Sequence, residues 1–97
     1  MNDLSRLISA LQDKSWKVRK LSAIALGNLR DKKAVLPLIS ALQDKNRWVR
    51  EWTVWALGEI GDERAIPALE KLLAEENEEG KKVIQEALQK IRASKSR

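Results

Sequence analysis

Four side chains share one helical stripe and are the first candidates for chemistry: Trp48, Trp52, Trp55 and Glu59, spaced by four, three and four residues. Such steps place all four on one face of an α-helix. A row of indole rings can receive an apolar protein segment or stack on bases, and a carboxylate beside an aromatic wall is one arrangement for acid–base work. The rest of the inventory narrows this. The 97 residues include no histidine and no cysteine, which removes imidazole and thiolate metal ligands, the thiol nucleophile and the usual general base. Glu59 then reads better as a solvated carboxylate near a helix end. The expectation is a non-enzyme with no metal and no cofactor.

The same segment, Asn46 to Asp62, carries a second stripe formed by Val49, Thr53, Ala56, Leu57 and Ile60. At 100° per residue the two stripes are rotated by roughly 110°. Only one can be core, and the aliphatic one has the usual pattern of a buried helix face. The three tryptophans therefore stand outside the core. Around them the chain is rich in both charges, with 19 basic and 14 acidic residues and a net charge of +5. The excess sits mainly in residues 1–31, which hold six basic and three acidic groups. No apolar run approaches the roughly 20 residues that span a bilayer, and no signal-like segment opens the chain. A cytoplasmic, cysteine-free single domain over 1–97 with no membrane partner is the expectation.

An internal repeat organises that domain. The string LISALQDK occurs at Leu7–Lys14 and again at Leu38–Lys45, an offset of 31. The offset also carries Val18-Arg19 onto Val49-Arg50, Ala25-Leu26-Gly27 onto Ala56-Leu57-Gly58, and Asp31 onto Asp62; applied again it carries Ala56-Leu57 onto Ala87-Leu88. Repeats of about 1–31, 32–62 and 63–93 follow, with a basic tail at 94–97.

Each unit reads as two helices. The first begins near Leu4, Val35 or Ile66, with Pro37 and Pro67 at or near a first turn. The second follows a short turn in which Ser15 or Asn46 is suited to cap. Gly61 fits a left-handed C-terminal cap; Arg30 at the equivalent position would be strained by roughly 1–2 kcal/mol, so the first turn is expected to differ. Gly80 and Gln89 replace Val49 and Gly58 in the third unit, which reads as a C-terminal cap with a polar outer face, and Ala93–Arg97 reads as frayed.

The segments WKVRKLSAIALGNLRDKKAVLPLISAL and WVREWTVWALGEIGDERAIPALEKLL resemble HEAT-like repeats of the phycobilin-lyase type, and the second is similar to artificial alpha-repeat consensus proteins built from them. The resemblance implies an all-α fold: a short right-handed α-solenoid of three two-helix repeats, six helices in all, with second helices on the concave side. It implies that Arg19 and Arg50 link units structurally through turn aspartates, Asp31 and Asp62. The positions varied in the artificial proteins fall here on Arg47, Trp48, Glu51, Trp52 and Trp55, and on Trp16, Lys17, Lys20, Leu21 and Ile24. Bilin lyases and DNA glycosylases share such repeats, but only by analogy; metal-dependent hydroxylases of this type need His–Glu pairs that the chain lacks.

Projected through the offset, Trp48, Trp52, Trp55, Leu21, Ile24 and Val83 fall side by side, fringed by Lys17, Glu51, Glu59 and other charges. Three tryptophans offer on the order of 600 Å². An apolar patch with aromatic anchors and a charged rim is suited to a protein contact. The expected partner is a protein, a peptide helix or a second copy forming a homodimer. Nucleic acid is the lesser reading, because glutamates interrupt the cations on the same surface. Trp16 is read apart from this patch, as a lid on the N-terminal unit.

Overall fold

The apolar spacings of the three units close into three helix pairs in the computed structural model, which describes residues 2–95. These are α1 (Asp3–Ala10) with α2 (Trp16–Leu29), α3 (Val35–Ala41) with α4 (Arg47–Ile60), and α5 (Ile66–Glu75) with α6 (Glu78–Lys95). Among the described residues there is no strand. Among the described residues, no helix is long and apolar enough to cross a membrane.

Side-chain caps set three of the six helix starts. Asn46 accepts from the backbone N–H groups of Trp48 and Val49 at 2.9 and 3.3 Å, Asn2 from Ser5 at 2.8 Å, and Asn77 from Gly80 at 3.0 Å. These bonds satisfy donors that a helix leaves orphaned in its first turn. Ser15 departs from the expectation: its side chain makes no capping bond. The turn before α2 is closed instead by Asp13, whose carboxylate accepts from the Ser15 N–H at 2.9 Å, as Asp44 does from Asn46.

The turns between units hold two features beyond the sequence reading. A single 3-10 turn precedes α3 (Lys32–Ala34) and α5 (Glu63–Ala65). Asp31 and Asp62 cap these turns, accepting from the N–H groups of Lys33 and Arg64 at 2.8 and 2.9 Å. In addition, Arg30 adopts φ 54° just as Gly61 adopts φ 74°. The first turn thus keeps the left-handed geometry rather than avoiding it, and the N–H groups of Arg30 and Gly61 reach Leu26 and Leu57 at 3.2 and 3.1 Å. At the far end α6 stays helical through Lys95, which pairs with Glu63 at 3.2 Å, so Ala93, Ser94 and Lys95 are not frayed. Ser96 and Arg97 lie outside the described residues.

Helix α4 is the centre of the stack, packed against α2 on one side and α6 on the other. All five residues of its aliphatic stripe are buried, and so are Val54 and Gly58. A helix with neighbours on two flanks buries more than one stripe. The approach of α4 to α2 is close: a Cβ on Gly27 would lie 2.5 Å from Trp55 Cζ3 and 2.9 Å from Ala56 Cα. Leu26, Leu38, Leu42, Leu57, Leu69, Ile84 and Ile91 fill the space between the helix rows. With this core closed beneath it, the remaining face of α4 is free to carry other side chains.

Candidate functional site: a tryptophan face on the second helices

The face begins with two exposed rings on α4. Trp48 is 52% exposed and Trp52 37%, while Leu21 on α2 is 60% exposed. Trp55, Ile24 and Val83 are half-buried, and Trp55 and Val83 also pack against the core. Trp55 therefore serves two sides at once: its ring lies over Gly27 at the α2–α4 contact, and it meets Trp52 edge-on at 5.4 Å and 79°. That geometry suits the ring quadrupoles.

Trp16, expected as a lid on the N-terminal unit, packs onto the neighbouring unit and so borders this face. It stacks on Trp48 with ring centroids 5.4 Å apart and planes 28° from parallel. Lys17 and Lys20 hold their ammonium groups 5.9 and 5.4 Å from the Trp16 ring centroid, within cation–π range. The sequence signal was the offset itself. Trp16 and Trp48 are 32 residues apart, one more than the repeat, and the next pair at that spacing, Arg47 and Glu79, is also in contact, at 2.9 Å.

Charged side chains on the rim are engaged with one another. Glu51 accepts from Arg47 at 3.1 Å along α4. Glu59 accepts from Arg30 at 3.0 Å and from Lys90, joining all three units through one carboxylate. The Lys90 hydrogen bond holds the Glu59 carboxyl below its usual value against the opposing effect of burial, with Arg30 adding to the downward shift. A carboxylate kept ionised by two cations is a poor proton donor, which weighs against the acid–base reading and replaces the solvated one. The offset places Lys90 one repeat beyond Glu59, so this bridge was within reach of the sequence.

The structural arginines also find partners different from those the resemblance implies. Arg19, buried, donates to Asp44 through Nε at 2.7 Å and Nη2 at 3.2 Å, and to the carbonyls of Asp13 and Lys14 at 2.7 and 3.1 Å. Arg50 donates to the Asp44 carbonyl at 2.8 Å and lies 3.8 Å from Glu76. Each arginine thus reaches the inter-helix turn of the next unit, while Asp31 and Asp62 are occupied by their own 3-10 turns. Burial pushes the Asp44 carboxyl up, but hydrogen bonds from Arg19 and the Asn46 N–H, with the charges of Arg19 and Arg50, bring it below its ordinary value. Among the described residues, no cluster of three or more acidic side chains could hold a metal ion.

The architecture has relatives. A designed armadillo repeat protein, solved in complex with the peptide (KR)4, is similar with a TM-score of 0.75 and 30% identity over 91% of this chain and 46% of that one. The chain thus spans about half the length of that protein. No curated protein sequence matches significantly. A family model described as HEAT repeats matches residues 4–89, from the first turn of α1 to well inside α6, and the chain belongs to the HEAT-repeat family.

Proposed function

We propose that this chain is a non-enzymatic interaction module whose tryptophan face receives a protein partner: a peptide, a helix, or a second copy of the chain. The observation that carries the reading is the exposure of Trp48 and Trp52 on a helix whose core stripe is already complete. The similar designed armadillo protein has a peptide in its complex, which supports a peptide-sized occupant. The resemblance of the sequence to phycobilin-lyase-type units and their consensus-built relatives, in which these same positions vary, is in keeping with a binding face here.

The available area is smaller than the sequence implies, because Trp16 covers part of Trp48 and Trp55 part of Trp52. With a tryptophan able to bury about 150–250 Å², the exposed fractions of Trp48 and Trp52 leave on the order of 200 Å². Leu21 and the half-buried residues bring the patch to roughly 400 Å², worth about 10 kcal/mol gross at about 25 cal/mol per Å². Association costs an estimated 4–15 kcal/mol, which leaves at most about 6 kcal/mol, so the affinity is tens of micromolar or weaker.

Nucleic acid is disfavoured by the pairing of three of the face's cations, with Lys17 and Lys20 instead set over the Trp16 ring. Arg47 is held by Glu51 and Glu79, Arg50 lies by Glu76, and Lys90 binds Glu59. Phosphates would have to displace these carboxylates.

Selection of a displayed peptide library on the protein, followed by titration against Trp48→Ser and Trp52→Ser variants, tests the proposal. Selected peptides should lose at least tenfold in affinity on each variant. Peptides that bind wild type and both variants equally would place the binding surface elsewhere. The self-binding version predicts a dimer that Trp52→Ser dissociates, read by light scattering.

A further inference from the structure

The seam between α2 and α4 lies inside the stack, and its charge differs from that of the rest of the tryptophan face. Trp16 stacks on Trp48 across this seam, and Lys17 and Lys20 hold their ammonium groups over the Trp16 ring at 5.9 and 5.4 Å from its centroid. Two cations are thus fixed to one indole, which is itself fixed to the exposed ring of Trp48. Four residues beyond them on α2, Leu21 and Ile24 carry the apolar surface on beside Trp52 and Trp55, their counterparts one repeat later. Positive charge and apolar surface therefore meet along one line.

Elsewhere on the face, charges cancel one another. Arg47 stands between Glu51 and Glu79, and Glu59 between Arg30 and Lys90. Lys17 and Lys20 contact no carboxylate among the described residues. A ring quadrupole attracts an ammonium without cancelling its charge, so both lysines keep the capacity to bind an anion. The ring also holds them in place. A carboxylate arriving there meets cations whose side chains are already ordered, which lowers the entropic cost of pairing with lysine.

We propose that the occupant of the tryptophan face is an acidic amphipathic peptide helix, with aliphatic side chains on Trp48, Trp52 and Leu21 and carboxylates on Lys17 and Lys20; this rests on the reading of that face as a peptide site. Spacing supports a helix. At 1.5 Å rise per residue the two lysines are about 4.5 Å apart along α2 and the two tryptophans about 6 Å apart along α4, so acidic residues three apart and leucines four apart on a partner helix match both rows. A continuous polyanion fits less well. One repeat beyond Lys20 stands Glu51, and one repeat beyond Trp48 stands Glu79, so phosphates running across the face would meet carboxylates. A peptide can offer negative charge to α2 and apolar side chains to α4.

Titration of the protein's tryptophan emission with three synthetic peptides, up to millimolar concentration, tests this. The peptides share one helical leucine stripe, contain no aromatic residue, and carry glutamate, glutamine or lysine beside the stripe, three residues of similar helix propensity. Circular dichroism checks that each protein variant is folded. The glutamate peptide should bind about three- to tenfold more tightly than the glutamine peptide, as two exposed ion pairs allow, and the lysine peptide should bind most weakly. Raising salt should shrink the glutamate advantage. The double variant Lys17→Gln/Lys20→Gln should abolish that advantage and leave the glutamine peptide unchanged, whereas Lys32→Gln/Lys33→Gln, which removes the same charge elsewhere, should preserve it. Equal binding of the glutamate and glutamine peptides overturns the acidic preference and leaves the peptide face standing; no binding of any of the three overturns both. An advantage that survives Lys17→Gln/Lys20→Gln, or that Lys32→Gln/Lys33→Gln removes equally, overturns the assignment to this seam. Tighter binding of an oligothymidylate than of the glutamate peptide overturns it in favour of nucleic acid, and a dimer that Trp52→Ser dissociates overturns it in favour of a second copy.

Discussion

The junction between the first and second units and the junction between the second and third share one backbone geometry and hold it with different side chains. Residues 32 apart meet at both: Trp16 stacks on Trp48 at the first, and Arg47 pairs with Glu79 at the second. The linking arginine is bidentate to an aspartate at the first, Arg19 to Asp44, and at 3.8 Å from a glutamate at the second, Arg50 to Glu76. The small residue of the first helix faces a tryptophan ring and an alanine at Gly27, and an alanine alone at Gly58. A repeat therefore specifies where contacts fall, while their strength is set by the individual side chains. The first junction is the drier and more tightly held, and the tryptophan face is built on its open side.

The largest separation between the junctions should come from their arginine links. Asp44→Ala leaves the Arg19 guanidinium, with a side chain 9% exposed, without its carboxylate. The carbonyls of Asp13 and Lys14 still accept from it, so the cost should be about 2–3 kcal/mol, below that of a fully stranded buried charge. Glu76→Ala, at the longer and wetter pair, should cost less than about 1 kcal/mol. Urea midpoints of the two variants would show the difference, and equal losses would mean that the two junctions are equally strong.

Acid provides a second way to probe the same link. The carboxyls of Asp44 and Glu59 titrate below their ordinary values in the folded chain. Stabilisation from a depressed carboxyl is fully present above the unfolded value, about pH 4, and is lost as pH falls through the folded value. Stability should fall across that acid window. Asp44→Asn and Glu59→Gln should each flatten the acid limb of a urea-midpoint profile.

Much of this was legible because the repeat made the chain its own reference. The aliphatic stripe of α4 was readable from spacing alone, since burial follows the helical period. The exposed positions of Trp48 and Trp52 followed from the same period by exclusion. Other features escaped for physical reasons. Arg19 finds Asp44 across 25 residues because a long guanidinium reaches over the junction, and no local pattern encodes the reach of a side chain. Asp31 and Asp62 looked like its natural partners, but backbone N–H groups of their own turns compete for their carboxylates and win by proximity. Trp16 shares no stripe with Trp48, Trp52 and Trp55 and joins them only across the junction, where an indole ring is wide enough to bridge adjacent helices.

A smaller effect should come from glycine packing. Alanine in a helix interior is favoured over glycine by about 1 kcal/mol. At Gly27, however, the new Cβ would meet both the Trp55 ring and the Ala56 backbone, at 2.5 and 2.9 Å. Overpacking of this kind costs about 1–3 kcal/mol, so Gly27→Ala should be destabilising by up to about 2 kcal/mol in net. Gly58→Ala, with Ala87 Cα at 3.0 Å and no ring in the way, should be close to neutral. If Trp55 is the cause of the difference, Gly27→Ala should cost less in a Trp55→Leu background, a coupling that a double-mutant cycle would measure directly.

The smallest expected effect tests the one place where the first unit carries the wrong residue for its geometry. Arg30 holds φ 54°, where Gly61 of the second unit holds φ 74°. A side chain in the left-handed region costs about 1–2 kcal/mol relative to glycine. Replacing Arg30 also removes its ion pair with Glu59, but that guanidinium is 67% exposed, and such pairs are worth about 0–1 kcal/mol. Glu59 would retain Lys90. Glycine further loses more chain entropy on folding. The balance predicts that Arg30→Gly stabilises the protein by about 0.5 kcal/mol, measured as a raised urea midpoint, while Gly61→Arg destabilises it by about 1 kcal/mol. A loss of stability in Arg30→Gly would reverse the ranking: the Arg30–Glu59 pair would then outweigh backbone strain, and the first junction would be held from its tryptophan side as firmly as from the buried Arg19 side.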